Sequence, residues 1–351
     1  MPSPRVPDSP VPISCNGARA ALRMPYTLVR KTKGNTMSIA ARLSLQSLPT
    51  WQMRIEAALC AALLLLPGTL SAQGNFHLNP VIAKLEAGET VYGLSTQNLS
   101  LSFARQVARS PADFVYADME HGPQNFEALR SFLLAMGDKE MAVSKGNAQP
   151  GVALFARFAP RPDESEWVVK QALDLGLYGV LFNSVDTPEQ AAFAVSRMRY
   201  PQLRDSHYPE PKGARGWAPA NAAGAWGVST DEYVGRADLW PLNPDGDLLA
   251  VMMIESVEGL QNLDAIAATP GVGALFVGAG GDLSRSLGVP PGSPELEEAF
   301  GQIVAACQRH NIACAISANT GEDVARRVRE GWQIIRTTVA GANAGRALLA
   351  E

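Results

Sequence analysis

From residue 78 onward, short and nearly unbroken apolar runs alternate with longer stretches whose apolar residues recur every three or four positions. The runs 90–94, 114–117, 152–157, 179–182, 248–254, 274–277, 312–316 and 333–337 show little apolar–polar alternation. That pattern predicts parallel strands buried on both faces. The stretches 100–109, 125–136, 164–175, 188–198, 257–267, 295–309 and 321–330 carry the helical period and fall between most of the runs. Asp186-Thr187-Pro188 reads as a helix start with proline at the first position. Repeated strand–helix units predict a parallel α/β fold. Eight candidate strands predict a closed (β/α)8 TIM barrel rather than an open doubly wound sheet. No G-x-G-x-x-G follows the first strand, which argues against a dinucleotide fold.

Two segments break the alternation. Residues 201–247 are rich in Gly, Pro, Trp and Ala and read as a long irregular excursion, of the kind that often covers an active site. Residues 1–75 read as a leader outside the barrel domain of 76–351. They carry eight Lys/Arg and two Asp/Glu, net +6, against −10 for the remainder. Within the leader, about 53–72, Arg54 precedes the uncharged run 57–66, and small residues follow. This is the order of an export signal, and it predicts a periplasmic or secreted protein. The other reading is a leader that is never cleaved, which would leave the protein cytoplasmic. The run is too short for a stable membrane span, which takes about 20 residues.

Composition narrows the classes. One barrel of about 250 residues plus an extension accounts for the length. A hydrophobic fraction of 46% supports a large core and excludes wholesale disorder. A net charge of −4 argues against a nucleic-acid binder working through a basic field. Four cysteines are too few for a disulfide scaffold. Cys307 and Cys314 read as two buried thiols rather than a bridge.

Candidate chemistry gathers at the C-terminal strand ends, where barrels of this type carry their active sites. The second strand leads into Asp118-Met119-Glu120-His121, the third ends at Arg157, the fifth ends at Glu255, and the sixth is followed by 278–282, Gly-Ala-Gly-Gly-Asp. Two carboxylates from different strands, leaving open positions, suit Mg²⁺ or Mn²⁺ with waters and an oxygen-rich substrate. No Cys cluster or His pair points to structural zinc. Neither a P-loop nor G-x-S-x-G occurs.

These residues, in this order, resemble the HpcH/HpaI aldolases, metal-dependent class II pyruvate aldolases related to the citrate lyase beta group. The resemblance runs from about Asn79 to the C-terminus. Asn79-Pro80 with Leu85-Glu86-Ala87-Gly88-Glu89 is similar to the family's opening, and Asp118-Met119-Glu120-His121 to its D-x-E-H block. Arg199-Tyr200-Pro201, Arg215-Gly216, Ile254-Glu255 and Gly278…Asp282-Leu283-Ser284 follow in order.

The resemblance implies metal ligands at Glu255 and Asp282, a general base at His121 and a partner acid at Asp174. It implies Arg157 beside the enolate oxygen and a substrate contact from the Gly281 backbone. The implied cofactor is a divalent metal, Mg²⁺, Mn²⁺ or Co²⁺. The implied reaction is cleavage or formation of a 4-hydroxy-2-oxo acid from pyruvate, or a related 2-oxo acid, and an aldehyde. The implied assembly is a homo-oligomer, a trimer or hexamer.

Three positions depart from the family. Met253 stands where Gln touches substrate, the glycine-rich loop before Asp282 is one residue longer and lacks Pro, and Asn183 replaces a Pro. They surround the substrate and imply retained chemistry on an altered substrate. Two alternatives stay open: an exported protein that holds a 2-oxo acid without turnover, and a citrate-lyase-like enzyme acting on a CoA thioester.

Overall fold

The computed structural model describes residues 76–278 and 280–350. The leader, with its candidate export segment, lies outside the described residues. The described residues form nine strands: β1 Val91–Thr96, β2 Phe114–Met119, β3 Ala153–Phe158, β4 Gly179–Phe182, β5 Leu239–Trp240, β6 Leu248–Met253, β7 Ala274–Val277, β8 Ala313–Ser317 and β9 Ile334–Arg336. All pairings are parallel. The order runs β4-β3-β2-β1-β9-β8-β7-β6, and β6 pairs back onto β4. The eight apolar runs therefore close a barrel, as their pattern predicts. The two-residue β5 adds to β6 from outside the ring.

Helices cross between the strands, and the longer ones bury one face each. Helix Pro188–Met198 begins with a capping box between Thr187 and Gln190 and has Pro at its first turn, so its start is written in local chemistry. The predicted helix at 257–267 is two short ones, Val257–Gln261 and Leu263–Ala267, meeting at Asn262. Helices Pro80–Glu86, Lys139–Lys145 and Gly281–Leu287 went unpredicted because seven residues are too few to display a 3.6-residue period.

The interior of the barrel is filled. Phe114, Tyr116, Phe155, Leu181, Leu249, Val251, Phe276, Ala315 and Ile334 surround a void of only ≈ 20 Å³, floored by Val81. Val81 sits on helix Pro80–Glu86, which Asn79 caps by accepting from the Val81 amide. The Asn79 side chain also donates to the carbonyls of Tyr178 and Asp247, at the entries to β4 and β6. Among the described residues the N-terminal end of the barrel is thus closed.

Two sequence expectations need correction. The excursion 201–247 is partly ordered, with helices Ala220–Trp226 and Thr230–Arg236 and strand β5. It lies at the closed end, where Trp226 donates to the Gly176 carbonyl at 2.7 Å and stacks on Tyr178 at 4.4 Å between ring centroids. The reason is topological: it follows a helix and leads into a strand, and such connections fall at the N-terminal strand ends. Cys307 and Cys314 are joined as a disulfide. Cys307 lies in the last turn of helix Pro294–His310, and only Asn311 and Ile312 separate that helix from β8. That short connection sets the Cα atoms 5.8 Å apart, inside the bridging range.

Candidate active site

Strand geometry selects what faces the open end. Side chains two residues apart share a face, so each inward core residue predicts another one layer higher. Phe155 leads to Arg157, Val251 to Met253 and then Glu255, Phe276 to Gly278, Ala315 to Ser317, and Ile334 to Arg336. All of these upper residues line one cavity of ≈ 230 Å³, together with Tyr116, Gly281 and Asp282. The same count takes Tyr116 to Asp118 and Leu181 to Asn183, whose contacts knit the rim.

Arg157 is nearly buried and held on three sides. Its Nε donates to Asp118 Oδ1 at 3.1 Å and its Nη2 to Asp118 Oδ2 at 2.9 Å. Its Nη1 lies 2.7 Å from Glu120 Oε2. Burial pulls the Asp118 carboxyl up, and the hydrogen bonds and charge of Arg157 more than reverse this, holding it below its ordinary range. Glu120 is fixed by the Asn183 amide, which donates to Oε1 at 2.7 Å. His121 stands at the rim, its side chain 63% exposed and its Nε2 3.6 Å from Glu120 Oε2. Its backbone amide donates to Asp118 Oδ1 at 3.4 Å.

Glu255 and Asp282 face the cavity from the ends of neighbouring strands β6 and β7. The Ser184 amide donates to Glu255 Oε2 at 2.9 Å, and to do so Ser184 takes a left-handed φ of 49°. Asp186, which pairs with Arg161 and Ser256 and accepts from Asn262 through its carbonyl, braces this loop. Burial pushes the Glu255 carboxyl above its ordinary range, against the Ser184 amide, and Glu120 and Asp282 push the same way.

Gly280, at φ 75°, turns the chain into helix Gly281–Leu287. A Cβ there would meet Phe300 Cζ at 2.7 Å, so glycine is required for Gly281 and Asp282 to reach the cavity.

This donor set fits a divalent cation. Two carboxylates line one cavity, where burial first and then the neighbouring carboxylates disfavour the charge of Glu255, and a bound cation would relieve this. Among the described residues no group of three or more His, Cys, Asp or Glu forms a complete cage. Glu255 and Asp282 would supply a ligand each, with water and substrate oxygens in the remaining positions.

Asp174 is not brought to His121 within the chain. It lies at the C-terminal end of helix Glu166–Leu175, hence at the closed end of the barrel. There it pairs with Arg215 Nη2 at 3.1 Å and Lys170 at 3.6 Å. The carboxylate beside the His121 ring is Glu120. The sequence reading named Asp118 and Glu120 at the strand end without assigning them a role and passed over Arg336, although counting by two from Ile334 reaches it.

Enzymes with a filled barrel work at the C-terminal strand ends, and comparison with known proteins places this one among the aldolase-type lyases. The chain belongs to the HpcH/HpaI aldolase/citrate lyase family, whose profile matches residues 93–344. It is similar to a hydroxypyruvate/pyruvate aldolase of Paraburkholderia phytofirmans, 31% identical over 242 residues, 68% of this chain and 83% of that protein. A 5-keto-4-deoxy-D-glucarate aldolase of Salmonella paratyphi C is 30% identical over 221 residues, 62% of this chain and 74% of that protein. The crystal structure of an HpcH/HpaI aldolase/citrate lyase family protein from Burkholderia cenocepacia superposes with a TM-score of 0.61 at 27% identity, covering 78% of this chain and 98% of that one. No helix among the described residues is long and apolar enough to cross a membrane.

Proposed function

We propose that the protein is a divalent-metal-dependent aldolase that cleaves, or forms, a 4-hydroxy-2-oxo acid, giving pyruvate or a related 2-oxo acid plus an aldehyde. The observation that carries this reading is the convergence of Glu255, Asp282 and the clamped Arg157 on one cavity at the barrel mouth. A divalent cation bound by the two carboxylates would supply Lewis-acid polarisation of the 2-oxo acid's oxygens.

The chain's own residues then divide the work. Arg157 is fixed by Asp118 and Glu120 before substrate arrives, so it meets the negative charge that develops on the keto oxygen without reorganising. His121 takes the proton of the 4-hydroxyl group. The bond between carbons 3 and 4 breaks, carbon 4 leaves as the aldehyde carbonyl, and the electron pair passes into the enolate. A proton delivered to carbon 3 completes the 2-oxo acid. Imidazole is the commonest general base, and Glu120 is placed to steady the ring. Met253, buried against the cavity, removes a hydrogen-bonding group from the substrate's surroundings and supports an altered substrate.

Export is proposed alongside this activity. The 53–72 segment supports it, and a disulfide between Cys307 and Cys314 suits an oxidising compartment.

The test is pyruvate release from metal-stripped protein, assayed on a panel of 4-hydroxy-2-oxo acids with Mg²⁺, Mn²⁺ or Co²⁺ restored. Release that requires metal and vanishes in Glu255→Gln and His121→Ala is the expected result. Undiminished release without metal would overturn it, as would tight binding of pyruvate with no turnover of any aldol. Cell fractionation of the full chain checks export, and light scattering checks the proposed trimer or hexamer.

A further inference from the structure

Asn183 joins the two sides of the site at the rim. It follows β4, which lies in the ring between β3, carrying Arg157, and β6, which leads to Glu255. The amide of the next residue, Ser184, holds Glu255. The Asn183 side chain turns the other way, and its Nδ2 donates to Glu120 Oε1 at 2.7 Å and to the Ala159 carbonyl at 3.3 Å. Both acceptors fix the amide's orientation, because a flipped amide would set Oδ1 against a carboxylate and a carbonyl. Oδ1 is left buried and accepts no hydrogen bond among the described residues. Such an atom costs stability, and a group kept at that cost in a native fold calls for a reason. Asn183 stands where the family has proline, which has no donor to offer.

What Asn183 holds is the carboxylate between the arginine and the base. Oε1 of Glu120 is committed to Asn183. Oε2 lies 2.7 Å from Arg157 Nη1 and 3.6 Å from His121 Nε2, yet it is buried and neither contact is aligned as a hydrogen bond. It is an acceptor still to be filled. Guanidinium and imidazole compete for it. A Glu120 carboxylate free to turn about its last side-chain bond would be drawn onto Arg157, whose permanent charge and forked donors are the stronger attraction. The bond to Asn183 prevents that turn.

We propose that Asn183 is a positioning residue for the general base: by holding Oε1 of Glu120 it keeps Oε2 facing His121 Nε2, and Glu120 thereby takes the partner-acid role that the resemblance gives to Asp174. This rests on the aldolase reading of the same site and deepens it. His121 carries its hydrogen on Nε2, toward Oε2, which leaves the Nδ1 lone pair to receive the proton of the 4-hydroxyl group. The imidazolium so formed closes its Nε2–H onto Oε2, and that hydrogen stays on the ring throughout.

Two reactions of the same site separate this role from general support of the mouth. Cleavage of 4-hydroxy-2-oxopentanoate or 4-hydroxy-2-oxoglutarate, whichever wild type turns over faster, uses the 4-hydroxyl base. Exchange of the C3 protons of pyruvate with deuterated solvent, followed by NMR with Mg²⁺ present, has no 4-hydroxyl group to deprotonate. Asn183→Ala is expected to lower kcat for cleavage about tenfold to a hundredfold, with KM and the exchange rate within about threefold of wild type. In a Glu120→Ala background the same substitution is expected to change kcat by less than about twofold, because its effect runs through that carboxylate. Asn183→Asp keeps the shape and loses the donor; it gives the same split and decides the matter where the alanine variant fails to fold. Equal losses of cleavage and exchange would assign Asn183 to support of the whole mouth, and undiminished cleavage would leave it no role. Either overturns the proposal, as does an Asn183→Ala effect that persists without Glu120. Wild type that cleaves neither aldol sinks the aldolase reading before any variant is made, and this proposal with it.

Discussion

Asp118 grips Arg157 with both carboxylate oxygens, at 3.1 and 2.9 Å, from the position directly opposite it on the neighbouring strand. Strand register, not a flexible loop, therefore sets the guanidinium's place in the cavity. Asp118→Asn keeps the shape and removes the charge and one acceptor. It is expected to lower kcat about tenfold to a hundredfold, the range typical of a partner that orients a working group, with a smaller change in KM. Steady-state kinetics on the best aldol substrate checks this, and a change confined to KM would show that Arg157 needs no such clamp.

Glu255 is the carboxylate with most to gain from a cation. Because its folded pKa is raised, its charged form is disfavoured without metal, and metal must displace a proton as the pH falls through that range. Metal affinity measured by calorimetry should therefore weaken toward acid earlier than for an ordinary carboxylate. Glu255→Gln should cost at least about a hundredfold in affinity, more than the loss of an outer-shell partner, while the metal-free variant melts no lower than metal-free wild type. A lower melting temperature would mean that the charge is compensated within the chain.

His77 is buried at the closed end, with Nδ1 3.0 Å from Asp247 Oδ1 and Nε2 3.3 Å from Glu86 Oε2. Burial works to lower its pKa, but the two carboxylates outweigh it and raise it above 6.5. The stabilisation is fully present below the unfolded value and fades as pH climbs through the folded one. The melting temperature of His77→Gln should thus trail wild type most below the ordinary histidine value of 6.5, with the gap narrowing as pH rises through the raised folded value. A gap that is constant or widens with pH would assign His77 a packing role alone.

The Cys307–Cys314 bridge closes a short loop, with a sequence separation of 7. Chain entropy gives such a bridge about 2.5 kcal/mol. Reduction, or Cys307→Ser, should lower unfolding free energy by roughly that amount and leave kcat within about twofold, since β8 begins at the end opposite the cavity. Denaturant titration with and without reductant measures the first, and the aldol assay the second.

Local pattern was enough for the barrel. Unbroken apolar runs separated by helical periods determined eight strands and their parallel sense, because a strand buried on both faces has no polar side to show. It also pointed to the strand ends where polar groups gather, for His121, Arg157, Glu255 and Asp282 all end or follow such runs. Asp118 and Glu120 stood in the same run of polar residues, and Arg336 was legible by counting two residues up from Ile334.

Only the tertiary structure decided who meets whom. Asp174 and His121 are 53 positions apart in the chain and fall at opposite ends of the barrel, because a helix returns the chain to the closed end before each new strand. The same return carries 201–247 away from the mouth and sets Cys307 against Cys314. Among the described residues Arg336 pairs with no carboxylate while Arg157 has two, a difference invisible in two arginines that both follow apolar runs. Pairing of side chains depends on ring order and register, which arise when the barrel closes and are not contained in any local stretch of sequence.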